Sequence, residues 1–111
     1  MEKNIKLFNR FANHLADEAR KISMFYFKKK IKITNKNNKD FDPVTAVDIG
    51  VQKKINKLIN KEFPNHSILG EEDSIIKNSE YEWCVDPIDG TKSYIQGVPL
   101  WGTLISLSKN N

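Results

Sequence analysis

The chain has 111 residues, of which 39% are hydrophobic and 29% are charged, and its formal net charge is +4 at pH 7. A chain of this length forms at most one domain with a modest core, and no apolar run approaches the roughly 20 residues of a membrane span. The N-terminus leads into an amphipathic pattern rather than an apolar signal core, so a cytoplasmic protein without a membrane partner is expected. The lysines are scattered apart from residues 28–30, which favours a solvated face over a nucleic-acid surface.

Two long amphipathic helices are predicted, over about residues 4–28 and 45–63. The apolar stripe of the first recurs at spacings of three and four and comprises Ile5, Phe8, Phe11, Ala12, Leu15, Ala19, Ile22 and Tyr26. The stripe of the second comprises Val47, Val51, Ile55, Leu58, Ile59 and Phe63. Each stripe must pack against another element, whereas His14 falls on the polar side and is predicted to be a surface residue.

The segment between the helices begins with Ile31 and Ile33, which alternate with a lysine and predict a short edge strand. Residues 34–40 form a polar loop rich in Asn and Lys. The loop precedes the next motif, so it is either a lid over a site or a plain surface connection.

The second helix begins with a local capping signal. Thr45 is a good N-cap, and Asp48 three residues later can complete a Thr-x-x-Asp variant of the capping box. From this segment alone, Asp48 is equally well explained as a cap or as a functional carboxylate.

A second short strand, residues 67–69, ends at Gly70 and is followed by three consecutive acids, Glu71, Glu72 and Asp73. Such a run usually forms a solvated loop. Gly70 nevertheless permits close approach of the backbone, and a carboxylate at a strand end can be a metal ligand.

The stretch 83–91 is an apolar run that ends in two carboxylates separated by a proline. Its first three residues predict a short buried strand, and Asp86 is extended because a proline follows it. Asp89 and Gly90 form a turn, after which Thr91 opens a short helix whose N–H groups face both carboxylates. Carboxylates suit a divalent cation and N–H groups suit a phosphate, so the stretch predicts a metal–phosphate site.

Two other interpretations of this stretch compete with a metal–phosphate site. An isolated Asp-x-x-Asp-Gly is usually a solvated turn. The aspartyl-phosphate phosphatases place a nucleophilic Asp two residues before the Asp of an Asp-Gly-Thr, but that position is Pro87 here, so no covalent aspartyl route is expected. Cys84 is the single cysteine, which excludes an internal disulfide, and it is interpreted as a buried packing residue rather than a nucleophile.

The last segment completes the predicted fold. Residues 92–96 predict a short helical or irregular piece, and residues 100–107 predict a strand with alternating side chains. The fold class is α+β, with two long helices packed together on one face of an antiparallel sheet.

Three acidic elements follow one another along the chain. They are Asp42-Pro43-Val44-Thr45 with Asp48, then Gly70-Glu71-Glu72, then Trp83 with Asp86-Pro87-Ile88-Asp89-Gly90-Thr91. In this order and spacing they resemble the magnesium-dependent, lithium-sensitive inositol monophosphatase family. The continuation over residues 92–105 looks most like the histidinol-phosphatase branch, since inositol phosphatases more often carry Asn-Phe after the threonine. The resemblance implies the N-terminal portion of the layered αβαβα sugar-phosphatase fold.

Carried over position by position, the resemblance implies a set of site residues. The implied metal ligands are Glu71, Asp86, Asp89 and the main-chain oxygen of Ile88. The cofactor would be Mg²⁺, as two or three ions in the intact site, with Mn²⁺ as an alternative. Glu71 and Thr91 would orient the attacking water, and Asp48 would hydrogen-bond the Thr91 hydroxyl. The implied phosphate- and substrate-binding residues are Asp89, Gly90, Thr91 and Lys92.

The resemblance matches only the N-terminal part of such an enzyme. Family members run to roughly 250 residues, and a second half with a Trp-Asp-x-Ala-Ala-Gly-like motif has no match here. Residues 1–111 are therefore expected to be an N-terminal metal- and phosphate-binding domain, with the C-terminal domain absent from this chain. An exposed apolar face is expected near residues 100–107, because the absent half would cover it.

The resemblance also ranks the functions. Histidinol phosphate comes first as substrate, which would place the enzyme in histidine biosynthesis, and inositol 1-phosphate comes second. The phosphate ester would be hydrolysed by metal-activated water without a covalent intermediate, and the intact enzyme would be a homodimer. A catalytically silent metal- or phosphate-binding module is the alternative from a different class.

Overall fold

A computed structural model describes residues 2–29, 33–35, 43–71 and 73–110. The elements in chain order are α1 (Glu2–Tyr26), β1 (Ile33–Asn35), β2 (Pro43–Thr45), α2 (Ala46–Glu62), β3 (Ser67–Gly70), β4 (Tyr81–Asp89), α3 (Thr91–Gln96) and β5 (Gly102–Lys109). Within these ranges, no helix combines the length and the apolar character needed to cross a membrane.

The two long helices begin and end within two residues of their predicted bounds. α1 ends just before Lys28, which takes a left-handed conformation with a φ of 69°. The predicted stripe of α1 is wrong at its ends, where Ile5 is 53% exposed and Tyr26 is 41% exposed. The 25 residues of α1 extend over about 37 Å, whereas the eight residues of β5, the strand against which it packs, extend over about 27 Å.

The core lies between the two long helices and one face of a three-stranded sheet. Its buried apolar side chains are Leu15, Ala19, Val47, Val51, Ile55, Ile59, Ile68, Trp83, Val85, Ile88 and Tyr94. α1 packs against α2 and β5, and α2 packs against β4. The α+β class is confirmed. The turn that follows β4 lies directly against this core.

The sheet is mixed, with strand order β3-β4-β5. The predicted antiparallel arrangement holds for β4 and β5, which pair from Tyr81↔Lys109 to Asp89↔Gly102. It is wrong for β3 and β4, which run parallel from Ser67↔Glu82 to Gly70↔Val85. The reason is that residues 73–80 return along the outer edge of β3, where Ile75 and Ile68 exchange main-chain hydrogen bonds of 2.7 and 2.8 Å. β4 can then start beside the beginning of β3.

A separate two-stranded antiparallel sheet joins β1 and β2. The predicted edge strand is present as residues 33–35, whereas residues 31 and 32 lie outside the described part of the chain. Thr34 and Asn35, predicted to be loop, pair instead with Val44 and Pro43, because strand pairing extends two residues past the apolar signal. The rest of the segment that is either a lid or a surface connection, residues 36–40, lies outside the described residues. Asp42 and Glu72 lie outside them as well.

The second face of the three-stranded sheet is open. Leu69 is 48% exposed, Leu104 is 55% exposed, and Leu100 in the approach to β5 is 75% exposed. The exposed apolar face that was expected near residues 100–107 is therefore present. Cys84 is half-buried on this face, so its prediction as a buried residue is corrected: strand alternation turns its side chain away from the core that Trp83 enters.

Candidate active site

The N-terminus of α2 is organised by Thr45, which is fully buried and extended, with φ −104° and ψ 162°. Thr45 Oγ1 accepts the N–H groups of Val47 and Asp48 at 3.2 and 3.1 Å. The Thr45 N–H donates to Asp48 Oδ1 at 2.9 Å, and the Thr45 hydroxyl donates to the same oxygen. The predicted capping box is present, and it occupies one of the two carboxylate oxygens of Asp48.

The second oxygen of this carboxylate, Asp48 Oδ2, lies 3.1 Å from Thr91 Oγ1, although the two residues are 43 positions apart. Thr91 Oγ1 also lies 3.0 Å from the carbonyl oxygen of Ile88. A hydroxyl has one proton and donates to one of these acceptors at a time. Asp48 thus caps α2 and contacts Thr91 with different atoms, so the two interpretations of this residue are compatible.

Three further carboxylates lie at the end of the parallel strand pair. The register places Gly70 beside Val85, and the Glu71 N–H donates to the Val85 carbonyl at 3.3 Å, so Glu71 follows β3 where Asp86 follows Val85 on β4. The pKa of Asp86 is raised to about 6, first by burial and then by the charges of Glu71, Asp89 and Asp48 and by a hydrogen bond with Asp89. Negative charge is therefore crowded around Asp86.

The crowding of negative charge around Asp86 indicates whether these residues suit a divalent cation. Carboxylate and carbonyl oxygens are the ligands that Mg²⁺ prefers, and a cation would relieve the repulsion that Asp86 experiences. The Ile88 carbonyl oxygen has two lone pairs, of which the Thr91 hydroxyl engages at most one. Among the described residues, however, no three acidic, His or Cys side chains already form a metal-holding group. Coordination by Glu71, Asp86, Ile88 and Asp89 remains a prediction.

The turn that carries the last of these residues is held rigidly. The pairing of β4 with β5 shifts register between Asp86 and Asp89, around Pro87, which has no N–H to give to the ladder. Thr103 Oγ1 donates to the Pro87 carbonyl at 2.7 Å. Gly90 has a φ of 88°, and a Cβ there would lie 2.8 Å from the Leu100 carbonyl oxygen. Gly90 is therefore required both for its conformation and for space.

The helix after the turn begins at Thr91, and its Tyr94 N–H donates to the Gly90 carbonyl at 3.0 Å. Lys92 is exposed in its first turn. The predicted contacts of Gly90, Thr91 and Lys92 with a phosphate are not tested by these distances.

Sequence reasoning missed the support that α1 gives to this turn. Tyr94 is 1% exposed, and its hydroxyl donates to the Ser23 carbonyl at 2.8 Å, which ties α3 to α1. Burial, and secondarily the charge of Asp48, raises the pKa of Tyr94 to about 12. The sequence does offer a signal for this contact, because the aromatic ring of Tyr94 in a short polar helix is expected to pack against another element.

The chain is similar to known proteins over most of its length. Residues 5–111 match the inositol monophosphatase family. The chain belongs to this family of phosphatases. It is 41% identical over 105 residues to the bifunctional phosphatase IMPL2 (chloroplastic) of Arabidopsis thaliana, covering 89% of this chain and 30% of that protein. It is 38% identical over 98 residues to a histidinol-phosphatase of Streptomyces coelicolor, covering 88% and 36%.

Among solved structures, a Thermotoga maritima IMPase superposes with a TM-score of 0.81 at 27% identity, covering 99% of this chain and 41% of that one. The chain thus spans about a third of the length of the curated relatives it matches. The predicted family and fold are confirmed by these matches.

Proposed function

We propose that the chain is the metal- and phosphate-binding part of a Mg²⁺-dependent phosphomonoesterase that acts on a small phosphate ester. The observation that carries this proposal is the contact between Asp48 and Thr91, 3.1 Å across 43 positions. A helix cap alone needs no such partner, whereas a hydroxyl fixed by a buried carboxylate beside crowded acids suits a hydrolytic site.

The residues divide the work as follows. Asp48 holds the proton of the Thr91 hydroxyl, which leaves a lone pair of that oxygen free to accept a hydrogen bond from an incoming water. Glu71 accepts a second hydrogen bond from this water and orients it. Mg²⁺, when bound, lowers the pKa of water and neutralises charge on phosphoryl oxygens. Glu71, Asp86, Asp89 and the Ile88 carbonyl are the residues that would hold it.

The phosphate would lie against the turn after β4. The main-chain N–H groups of Gly90 and Thr91 would donate to phosphoryl oxygens, and Asp89 and Lys92 would line the substrate side. Because the attacking group is water and position 87 is a proline, the hydrolysis needs no phosphorylated side chain.

Histidinol phosphate is the first substrate proposed, with inositol 1-phosphate second. Support comes from the sequence after Thr91 and from the name histidinol-phosphatase given to the Streptomyces relative. This substrate would place the enzyme in histidine biosynthesis. We further propose that the enzyme is a cytoplasmic homodimer without a nucleic-acid partner. The competing proposal is a silent metal- or phosphate-binding module.

The test is Asp48→Asn in the full-length protein encoded by the gene, assayed with both esters at several Mg²⁺ concentrations. Asparagine caps a helix as well as aspartate does, so stability should change little. Loss of the charged acceptor for Thr91 should lower turnover roughly 100-fold with substrate affinity nearly unchanged. Asp17→Asn, on the surface of α1 with a 65% exposed side chain, is the matched control.

Two outcomes would contradict the proposal. Near-wild-type turnover of Asp48→Asn would leave Asp48 only as a cap. Metal binding by a wild-type protein that hydrolyses neither ester would favour the silent module.

A further inference from the structure

Gly70, at the end of β3, is a glycine because of space and not because of its backbone conformation. Its φ is not in the left-handed region. A Cβ built on it would lie 2.5 Å from both Cδ and Oε1 of Gln52, and closer still to the carbonyl oxygen of Asp73. The amide of Gln52 therefore fills the position beside the backbone that a side chain at residue 70 would take.

Gln52 is a polar side chain on the buried side of α2, with no exposed surface. Its Nε2 donates to Asn56 Oδ1 at 2.8 Å, and Asn56 Nδ2 lies 3.4 Å from both the carbonyl oxygen and Oδ2 of Asp73. Within the described ranges, Gln52 Oε1 has no hydrogen-bond partner. Burying an amide in this way is costly compared with an apolar side chain, so its presence calls for a role at the turn.

We propose that Gln52 is a positioning residue that sets the backbone of Gly70 and Asp73 and thereby aims Glu71 toward Asp86. The proposal deepens the proposed function, on which the importance of Glu71 rests. The turn is held from three directions. The Glu71 N–H binds β4 at the Val85 carbonyl at 3.3 Å, and Ser74 Oγ bonds the Gly70 N–H at 3.0 Å and the Gly70 carbonyl at 3.2 Å. From the side of α2, Gln52 holds the turn through its hydrogen bond to Asn56, which in turn contacts Asp73.

This arrangement explains why α2 carries a polar pair in its core-facing stripe. Gln52 and Asn56 are one helical turn apart, so they point the same way and reach the same loop. An apolar residue at position 52 would fill the volume but could not pass a hydrogen bond through Asn56 to Asp73. The pair therefore couples the helix that carries Asp48 to the loop that carries Glu71.

The test compares Gln52→Met, which keeps the volume and removes the amide, with Ile55→Val, a core change on the same helix at a residue that is also fully buried. Amide hydrogen exchange is followed residue by residue in metal-free buffer, and Mn²⁺ affinity is then measured by calorimetry. In Gln52→Met we expect exchange at residues 70–74 to rise about tenfold beyond the change in global stability, and Mn²⁺ binding to weaken about fivefold. Ile55→Val should change neither beyond its global effect.

Asn56→Leu supplies a second test, because it removes the amide that links Gln52 to Asp73 without altering residue 52. It should reproduce the faster exchange of the turn. Unchanged exchange at residues 70–74 in both variants would overturn the positioning role. If the wild type binds no Mn²⁺, the metal site of the proposed function fails, while the exchange data still decide the role of Gln52.

Discussion

The two ends of β4 have opposite chemistry. At one end, Trp83 is fully buried and donates its Nε1–H to His66 Nδ1 at 3.1 Å, and His66 stacks on Phe63 and Tyr81 with ring centroids 4.7 and 4.8 Å apart. At the other end, Asp86 is crowded by carboxylates that help to raise its pKa to about 6. The aromatic end is stabilised by packing, whereas the acidic end carries a charge repulsion that a bound cation would relieve. Stability and proposed function are thus separated along one strand.

The largest effect should come from breaking the aromatic end. Trp83→Ala removes a fully buried indole and leaves His66 without its donor, so the free energy of unfolding should fall by about 3–5 kcal/mol. Urea denaturation measures this loss. Leu104→Ala on the open face, at a residue that is 55% exposed, should cost less than about 0.5 kcal/mol. Equal losses in the two variants would mean that the buried Trp83 end of β4 contributes no more to stability than the open face of the sheet.

A smaller effect of opposite sign is expected at the acidic end. Asp86→Asn removes one of the repelling charges, so the metal-free chain should gain stability, by about 1 kcal/mol once solvent screening of this partly exposed carboxylate is allowed for. The same change should weaken Mg²⁺ and Mn²⁺ binding about tenfold, from affinities that we expect to be in the millimolar range for Mg²⁺. Calorimetric titration of both chains decides the point. Identical metal binding would remove Asp86 from the site.

The smallest effect is a pH dependence that originates at the aromatic end. Burial lowers the pKa of His66 below 6.5, and a protonated Nδ1 would face the Trp83 N–H donor. The unfolded chain therefore takes up a proton at a higher pH than the folded one, and stability should fall as the pH drops below about 6.5, by at most about 1.4 kcal/mol per pH unit.

The measurement is urea denaturation between pH 7.5 and 5.5 in the Asp86→Asn background, because Asp86 titrates near pH 6 with the opposite effect on stability. His66→Gln should flatten this slope. The exposed His14 provides the matched control, and His14→Gln should leave the slope unchanged. A slope that survives His66→Gln would show that another group causes it.

Local features of the fold could be predicted because their causes are local. The 3.6-residue periodicity located both long helices, and the spacing of Thr45 and Asp48 predicted the capping box that the structure contains. Long-range pairing could not be predicted in this way. The parallel alignment of β3 and β4 depends on the return of residues 73–80 along β3, for which the polar sequence of that segment gives no sign.

The site shows the same division. The crowding of Glu71, Asp86 and Asp89 was predicted from acids at strand ends, and the Asp48–Thr91 contact only from the family resemblance. Gln52 was overlooked because a glutamine in an amphipathic helix looks like a surface residue. Its burial depends on Gly70, which lies on a different element and leaves the space that the amide fills.

The return of residues 73–80 along β3 also leaves only one edge of the sheet for further strands within the described part of the chain. Ile75 lies on the outer side of β3 and forms main-chain hydrogen bonds with Ile68. Lys77 lies on the same side, where its main-chain N–H donates to Ser67 Oγ and its carbonyl accepts from that hydroxyl. Within the described residues, β5 has no strand on its far side. Any additional strand, from the same polypeptide or from another, would therefore add at β5, whose eight residues are the natural template for both correct assembly and aggregation.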